Sequence, residues 1–198
     1  MFRDFANAYL EGLEACRREL SLERVEAVLN ILLAARREGR QIFILGNGGS
    51  ASAASHLACD LGKGTSAPDV PRFRAISLTD NTALLTAWAN DTSYEMVFRE
   101  QLENLLEPGD VVIGISASGN SPNVLRAIEY ANEHGATTIG FVGSGGSKLK
   151  RLVKVDVTVS STNVGQAEEL HLTLNHLLTQ YLAQALRNEA QKKAAPTT

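Results

Sequence analysis

"FILGNGGSASAASHLACDLGKG", residues 43–64, decides the fold. An apolar run that reads as a buried strand breaks into Gly46, Asn47, Gly48, Gly49 and Ser50. It then resumes as a helical segment of small residues carrying His56 and Asp60 four positions apart. A strand that turns through glycine directly into a helix opens a β/α unit, and the pattern recurs downstream. Short β-rich runs stand at 41–46 (QIFILG), 73–78 (FRAISL), 110–116 (DVVIGIS), 137–143 (TTIGFVG) and 154–160 (KVDVTVS), with helical segments between most of them. Continuous apolar strands alternating with helices predict an α/β fold, a three-layer, doubly wound, five-stranded parallel sheet covered on both faces.

Outward from this core, residues 2–19 and 22–38 carry apolar side chains at helical spacing, with Ser21 placed to cap the second segment. They predict an N-terminal helical hairpin over 1–38, followed by an α/β core over 39–190 in one domain. Residues 165–191 read as a long amphipathic helix, and 191–198 as a flexible tail. Free thiols are expected at Cys16 and Cys59, which lack a C-x-x-C spacing, with Cys59 buried among small residues. Trp88 is expected in the core or an interface, and His134 at a helix C-terminus.

A chain of 198 residues with 44% hydrophobic and 21% charged residues suits one ordinary globular domain. A net charge of −3 without a basic stripe argues against nucleic acid or an acidic membrane as direct partner. The N-terminus reads as an amphipathic helix rather than a targeting segment, so a cytoplasmic protein is expected.

The first strands end in small or hydroxyl residues, GNGGS, SLTDN, ISASGNS and FVGSGGS. In a doubly wound sheet, ligands bind outside the carboxyl ends of the strands, so these loops are expected to face one crevice. Two of them, Gly46 to Ser50 and Ser116 to Ser121, lead into helix N-termini, where unpaired N–H groups and the dipole attract phosphate. Neither is a Walker loop or a G-x-G-x-x-G turn, which disfavours a nucleotide. The hydroxyls of Ser50, Ser52, Ser116, Ser118 and Ser121 suit a compact phosphomonoester, with Asn47, Gly48, Gly49, Ala117 and Asn120 in the same turns. His56 and Asp60 share one helix face, and Glu168 and His176, eight apart, roughly share another.

The segments at 46–61, 90–116, 115–137 (ISASGNSPNVLRAIEYANEHGAT) and 168–176 (EELHLTLNH) together resemble the sugar isomerase (SIS) domain family, and within it the phosphoheptose isomerase branch. The resemblance covers nearly the whole chain. It implies a flavodoxin-like SIS fold, two serine loops that hold a sugar phosphate, a homotetramer, and conversion of sedoheptulose 7-phosphate to an aldose phosphate through an enediol. In that branch one helix supplies a histidine and a glutamate and the last helix a glutamine and a histidine. The glutamate and second histidine form the acid–base pair, and in some members all four bind zinc. The matching positions are His56, Asp60, Glu168 and His176, so Asp60 and His176 are the expected catalytic pair, the four the expected Zn2+ ligands, and Glu168 is expected at the substrate as well. Asp60 is one methylene shorter than glutamate, and Glu168 is an anion in place of an amide. Ala117 stands where the loop commonly has a hydroxyl, and Lys63 lies near the place of a common arginine. Asp91 falls at a family aspartate linked to the sugar, and Asp80 lies at the second strand's end. The same branch leaves open a second class, a binding protein related to a tetramer that engages the bacterial replication initiator, and a third, a sugar-phosphate-sensing regulator.

Overall fold

Five strands pair in parallel in the computed structural model, which describes residues 1–144 and 147–194. They are β1 (Gln41–Gly46), β2 (Arg74–Ser77), β3 (Val111–Ser116), β4 (Thr137–Val142) and β5 (Val155–Thr158), in the spatial order β2, β1, β3, β4, β5. Alternation along each strand feeds two separate cores. Ile42, Ile44, Ile113 and Phe141 point to one face, and Phe43, Leu45, Val112 and Val142 to the other. The first face is covered by α2 (Leu22–Arg37), α3 (Gly49–Cys59) and α8 (Val164–Ala194), through Val28, Leu32, Ala54, Leu57, Leu174 and Leu178. The second is covered by α4 (Thr82–Asp91), α5 (Arg99–Leu105), α6 (Pro122–Glu133) and α7 (Lys148–Leu152), with Leu102, Val124, Ile128 and Leu149 buried against it. The expected three-layer α/β fold is present. Among the described residues no helix is long and apolar enough to cross a membrane.

The N-terminal helices are present but do not stand apart as a closed hairpin. The Ser21 side chain accepts from the Arg24 N–H at 3.3 Å and caps α2 as expected, and α2 then buries Val25, Val28 and Leu32 in the sheet's own core. The remaining helix, α1 (Phe2–Arg18), buries only Cys16 and leans on α8, where Gln166 donates to the Tyr9 carbonyl at 2.9 Å. The last helix runs through Ala194, with Lys193 paired to Glu189 at 3.3 Å one turn back, so 191–194 of the expected tail are helical. Positions 195–198, and Gly145 and Gly146 of the fourth strand-end loop, lie outside the described residues.

Three single-residue expectations divide. His134 ends α6, with Nδ1 at 2.8 Å from the Tyr130 carbonyl. Trp88 is half-buried against the second core. Cys59 is exposed rather than buried. The core-facing positions of this segment are Ala53, Ala54, Leu57 and Leu61, and at helical spacing residue 59 falls on the other side.

The order of the strands decides where a ligand can enter. From β1 the chain moves outward to β2 and then crosses back to β3 on the opposite side, so the helices after β1 and β3 lie on opposite faces. The crevice between these two strand ends is the topological switch point.

His171 lies 1% exposed on α8 against Phe141. Burial lowers its pKa to about 4, against a smaller opposing pull from the Val142 backbone. A folded pKa below the unfolded value leaves stability intact above pH 6.5 and removes it as pH falls toward 4. Urea unfolding at pH 7 and pH 5 is expected to show a loss of about 2 kcal/mol from this residue, a loss that His171→Leu abolishes.

Candidate active site

The two serine turns meet at the switch point. Gly46 ends β1 so close to β3 that a Cβ there would press on the Ile115 carbonyl oxygen at 2.8 Å. Gly48 caps α3 at φ +57°, a backbone region that favours glycine. Ser50, Ser116, Ser118, Ser121, Ala117 and Glu168 line a cavity of about 180 Å3 between these turns, with Asn47 and Ile115 at its wall. Ser116 centres the hydroxyls: its Oγ is 3.4 Å from both Ser118 Oγ and Ser121 Oγ and accepts the Gly119 N–H at 3.1 Å. Although Ser121 is the N-cap of α6, its side chain caps nothing. The N–H of Val124 is satisfied instead by Asn123 Oδ1 at 2.9 Å, which leaves the Ser121 hydroxyl free for a ligand.

Asn123 is one of the residues that sequence reading missed. It is 2% exposed and exchanges two amide hydrogen bonds with Asn47, at 2.8 and 2.9 Å, so that the two turns are tied side chain to side chain. Tyr94 adds its hydroxyl to Asn47 Oδ1 at 2.9 Å. A buried amide at the second position of a helix was the only available signal for Asn123.

Not every expected phosphate residue reaches the cavity. Ser52 is exposed and contacts only the Gly48 carbonyl, at 3.5 Å. Asn120 shapes its loop, donating to the Ser118 carbonyl at 2.9 Å and accepting from the Lys148 N–H at 3.2 Å. Asp91 is exposed at the end of α4, where it accepts from the Asn90 side chain at 2.8 Å. Asp80 instead belongs to a hydroxyl cluster with Ser55 and Thr79.

A second group forms where α3 crosses α8. His56 Nε2 lies 3.1 Å from His176 Nε2 and 3.3 Å from Asp60 Oδ2. One ligand atom from each of the three residues falls within 4.8 Å of the others. Thr179, also missed in the sequence, aims its hydroxyl at Asp60 Oδ2 at 3.4 Å while donating to the Asn175 carbonyl at 2.8 Å. Asp60 begins a π-helical turn, Asp60–Gly64, that carries the exposed Lys63. An open cleft of about 760 Å3, lined by Asp60, Leu177, Tyr181 and Arg187, adjoins the group.

Glu168 does not join this trio. Among the described residues, the ligand atoms that converge are those of His56, Asp60 and His176. Its carboxylate lies over Gly49, where a Cβ would overlap it, and forms part of the phosphate-site wall.

Three donors of the kind N, O, N suit a divalent metal. A tetrahedral ion with bonds of about 2.0–2.1 Å sets adjacent donors roughly 3.3–3.4 Å apart. The separations of 3.1 and 3.3 Å at His56 fit that spacing, and three protein ligands leave a position open for substrate.

The strand-end crevice with its serine-lined cavity, and the acid–imidazole group beside it, are features of an α/β fold with a site at its topological switch point. Residues 4–143 match the SIS domain model. The chain is 38% identical over 186 residues to the phosphoheptose isomerase of Geobacter metallireducens, covering 90% of this chain and 94% of that one. It is 39% identical over 185 residues to that of Aquifex aeolicus, covering 90% of each. The solved phosphoheptose isomerase of Neisseria gonorrhoeae superposes with a TM-score of 0.85 at 28% identity, over 93% of this chain and all of that one. The chain therefore belongs to the SIS domain family and, within it, to the phosphoheptose isomerases.

The α3–α8 crossing is held by Asn175, fully buried, whose Nδ2 donates to the Ala53 carbonyl at 2.9 Å. Asn175→Leu keeps the branched shape, adds some volume and removes this bond. It is expected to lower stability by roughly 1–3 kcal/mol in urea titration, and to weaken the capture of added zinc by the His56 and His176 pair, read by calorimetry.

Proposed function

We propose that the protein isomerises a sugar phosphate, converting sedoheptulose 7-phosphate to a glycero-manno-heptose 7-phosphate. The observation that carries this reading is the arrangement along α3. Its N-terminus helps form the phosphate cradle, and six residues beyond Ser50, about 9 Å along the axis, His56 opens the acid–imidazole group. A sugar chain anchored by its phosphate spans that distance and brings its carbonyl end to Asp60 and His176.

Aldose–ketose exchange moves one proton between neighbouring carbons. Removal of a proton from C1 sends the C–H electron pair into a C1–C2 double bond, and the C2 carbonyl oxygen takes up a proton, giving the enediol. Return of a proton to C2 and loss of one from the C1 hydroxyl gives the aldehyde. Asp60 and His176 are assigned these transfers. Oδ2 of Asp60 carries the contacts to His56 and Thr179, which leaves Oδ1 for the substrate. The serine hydroxyls and the N-termini of α3 and α6 hold the phosphate. His56, Asp60 and His176 are the residues assigned to hold Zn2+ or a similar divalent ion. When bound, such an ion would polarise the substrate oxygens and favour the enediolate charge.

The working form is taken to be a homotetramer in the cytoplasm. Phe2, Phe5 and Leu10 on α1 and Leu177 and Tyr181 on α8 are exposed apolar side chains that support self-association, the last two beside Asp60's cleft. A purely binding relative has no need of a carboxylate and an imidazole placed together, which favours the enzyme over the regulator.

Incubation with sedoheptulose 7-phosphate, with and without added zinc, is expected to yield aldose. Asp60→Asn and His176→Ala are each expected to reduce kcat by roughly 100- to 10,000-fold with the phosphate still bound. Absence of turnover in the wild type, or full activity in His176→Ala, refutes the mechanism. Removal of His56 is expected to weaken zinc retention, read by metal analysis of the purified variant.

A further inference from the structure

Within the phosphate site proposed above, one lining residue works against the ligand. No lysine or arginine lines the cavity, and Glu168 is its one ionisable lining side chain. Its carboxylate lies over Gly49 at the start of α3, in space that a Cβ at 49 would fill. A helix N-terminus favours an anion, and here the protein supplies one of its own. Ser50, Ser116, Ser118 and Ser121 offer neutral donors, so nothing in the lining cancels the added charge when a phosphate arrives.

We infer that Glu168 is an affinity- and specificity-determining residue: its carboxylate occupies the anion seat of the free protein, and a phosphate group binds only by displacing it. Glycine at 49 makes the arrangement possible, since any side chain there would push the carboxylate away. The consequence is discrimination. Inorganic phosphate brings nothing to offset the displacement, whereas a phosphosugar adds contacts along α3 toward His56. The site therefore rejects the small anion while accepting the larger ligand. This inference rests on the cradle reading, and the experiment separates the two.

Inorganic phosphate, and in parallel sedoheptulose 7-phosphate, is titrated calorimetrically into the wild type, E168Q, E168A and S116A, with thermal melting to verify folding. Both Glu168 variants are expected to bind inorganic phosphate about tenfold tighter than the wild type, as removal of one adjacent like charge allows. The gain for the phosphosugar is expected to be smaller, and S116A is expected to bind both more weakly. Equal or weaker phosphate affinity in the Glu168 variants overturns the inference and leaves the cradle standing. A gain confined to E168Q overturns it as well, because the new amide donor then accounts for the effect. If neither phosphate nor phosphosugar binds any of the four proteins, the cradle reading and the inference fail together.

Discussion

The site depends on α3 and α8 packing against one another, and a buried amide lies at their crossing. Asn175 reaches from α8 to the Ala53 carbonyl, a group already inside α3. The small residues Ala53 and Ala54 let the helices approach, and Leu174 and Leu178 flank the amide with apolar contacts. Once this crossing is made, His176 has no freedom to miss His56, because each lies within one turn of the contact. Two imidazoles and a carboxylate are thereby brought together at this crossing.

The second constraint comes from the sheet. The switch between β1 and β3 places two helix N-termini and four serine hydroxyls around one small cavity. In the proposed function a phosphate here would meet helix dipoles and neutral donors rather than a lysine or arginine. The Asn47–Asn123 amide pair keeps the turns in register, and Tyr94 ties in the segment after α4. Cradle and proton-transfer group are thus two ends of one rigid helix, α3, and their separation is set by its pitch.

Much of this was legible in the sequence because it is periodic or local. The five strand runs, the glycine turns, the Ser21 cap and the His56–Asp60 pair follow from spacing within a few residues. What escaped requires knowledge of distant neighbours. Asn123 becomes meaningful only when Asn47, 76 positions earlier, is seen opposite it. Thr179 gains a role only once α8 lies on Asp60. Glu168 is expected both at the substrate and among the metal ligands; it lines the serine cavity, while the ligand atoms that converge are those of His56, Asp60 and His176. Cys59 shows the complementary limit: small neighbours suggest burial, yet the face of the helix decides it.

Asp60 carries the remaining argument. The resemblance expects glutamate there, and a carboxylate shorter by one methylene should lose reach. Within the trio it loses none: an i, i+4 pair on a helix needs little length, and Oδ2 stands 3.3 Å from His56 Nε2, the spacing a tetrahedral ion imposes. The shortening is felt on the other side, toward the substrate carbon, where a fixed backbone cannot follow. The chain widens into a π-helical turn beginning at this residue, and the Thr179 hydroxyl lies 3.4 Å from Oδ2. Metal-holding geometry and proton-transfer geometry therefore make different demands on the same side chain. The first tolerates aspartate because its partners are on the protein. In the proposed reaction the second would require the sugar to settle closer to α3, where the serine-lined cavity of about 180 Å3 is small enough to hold a phosphate group close.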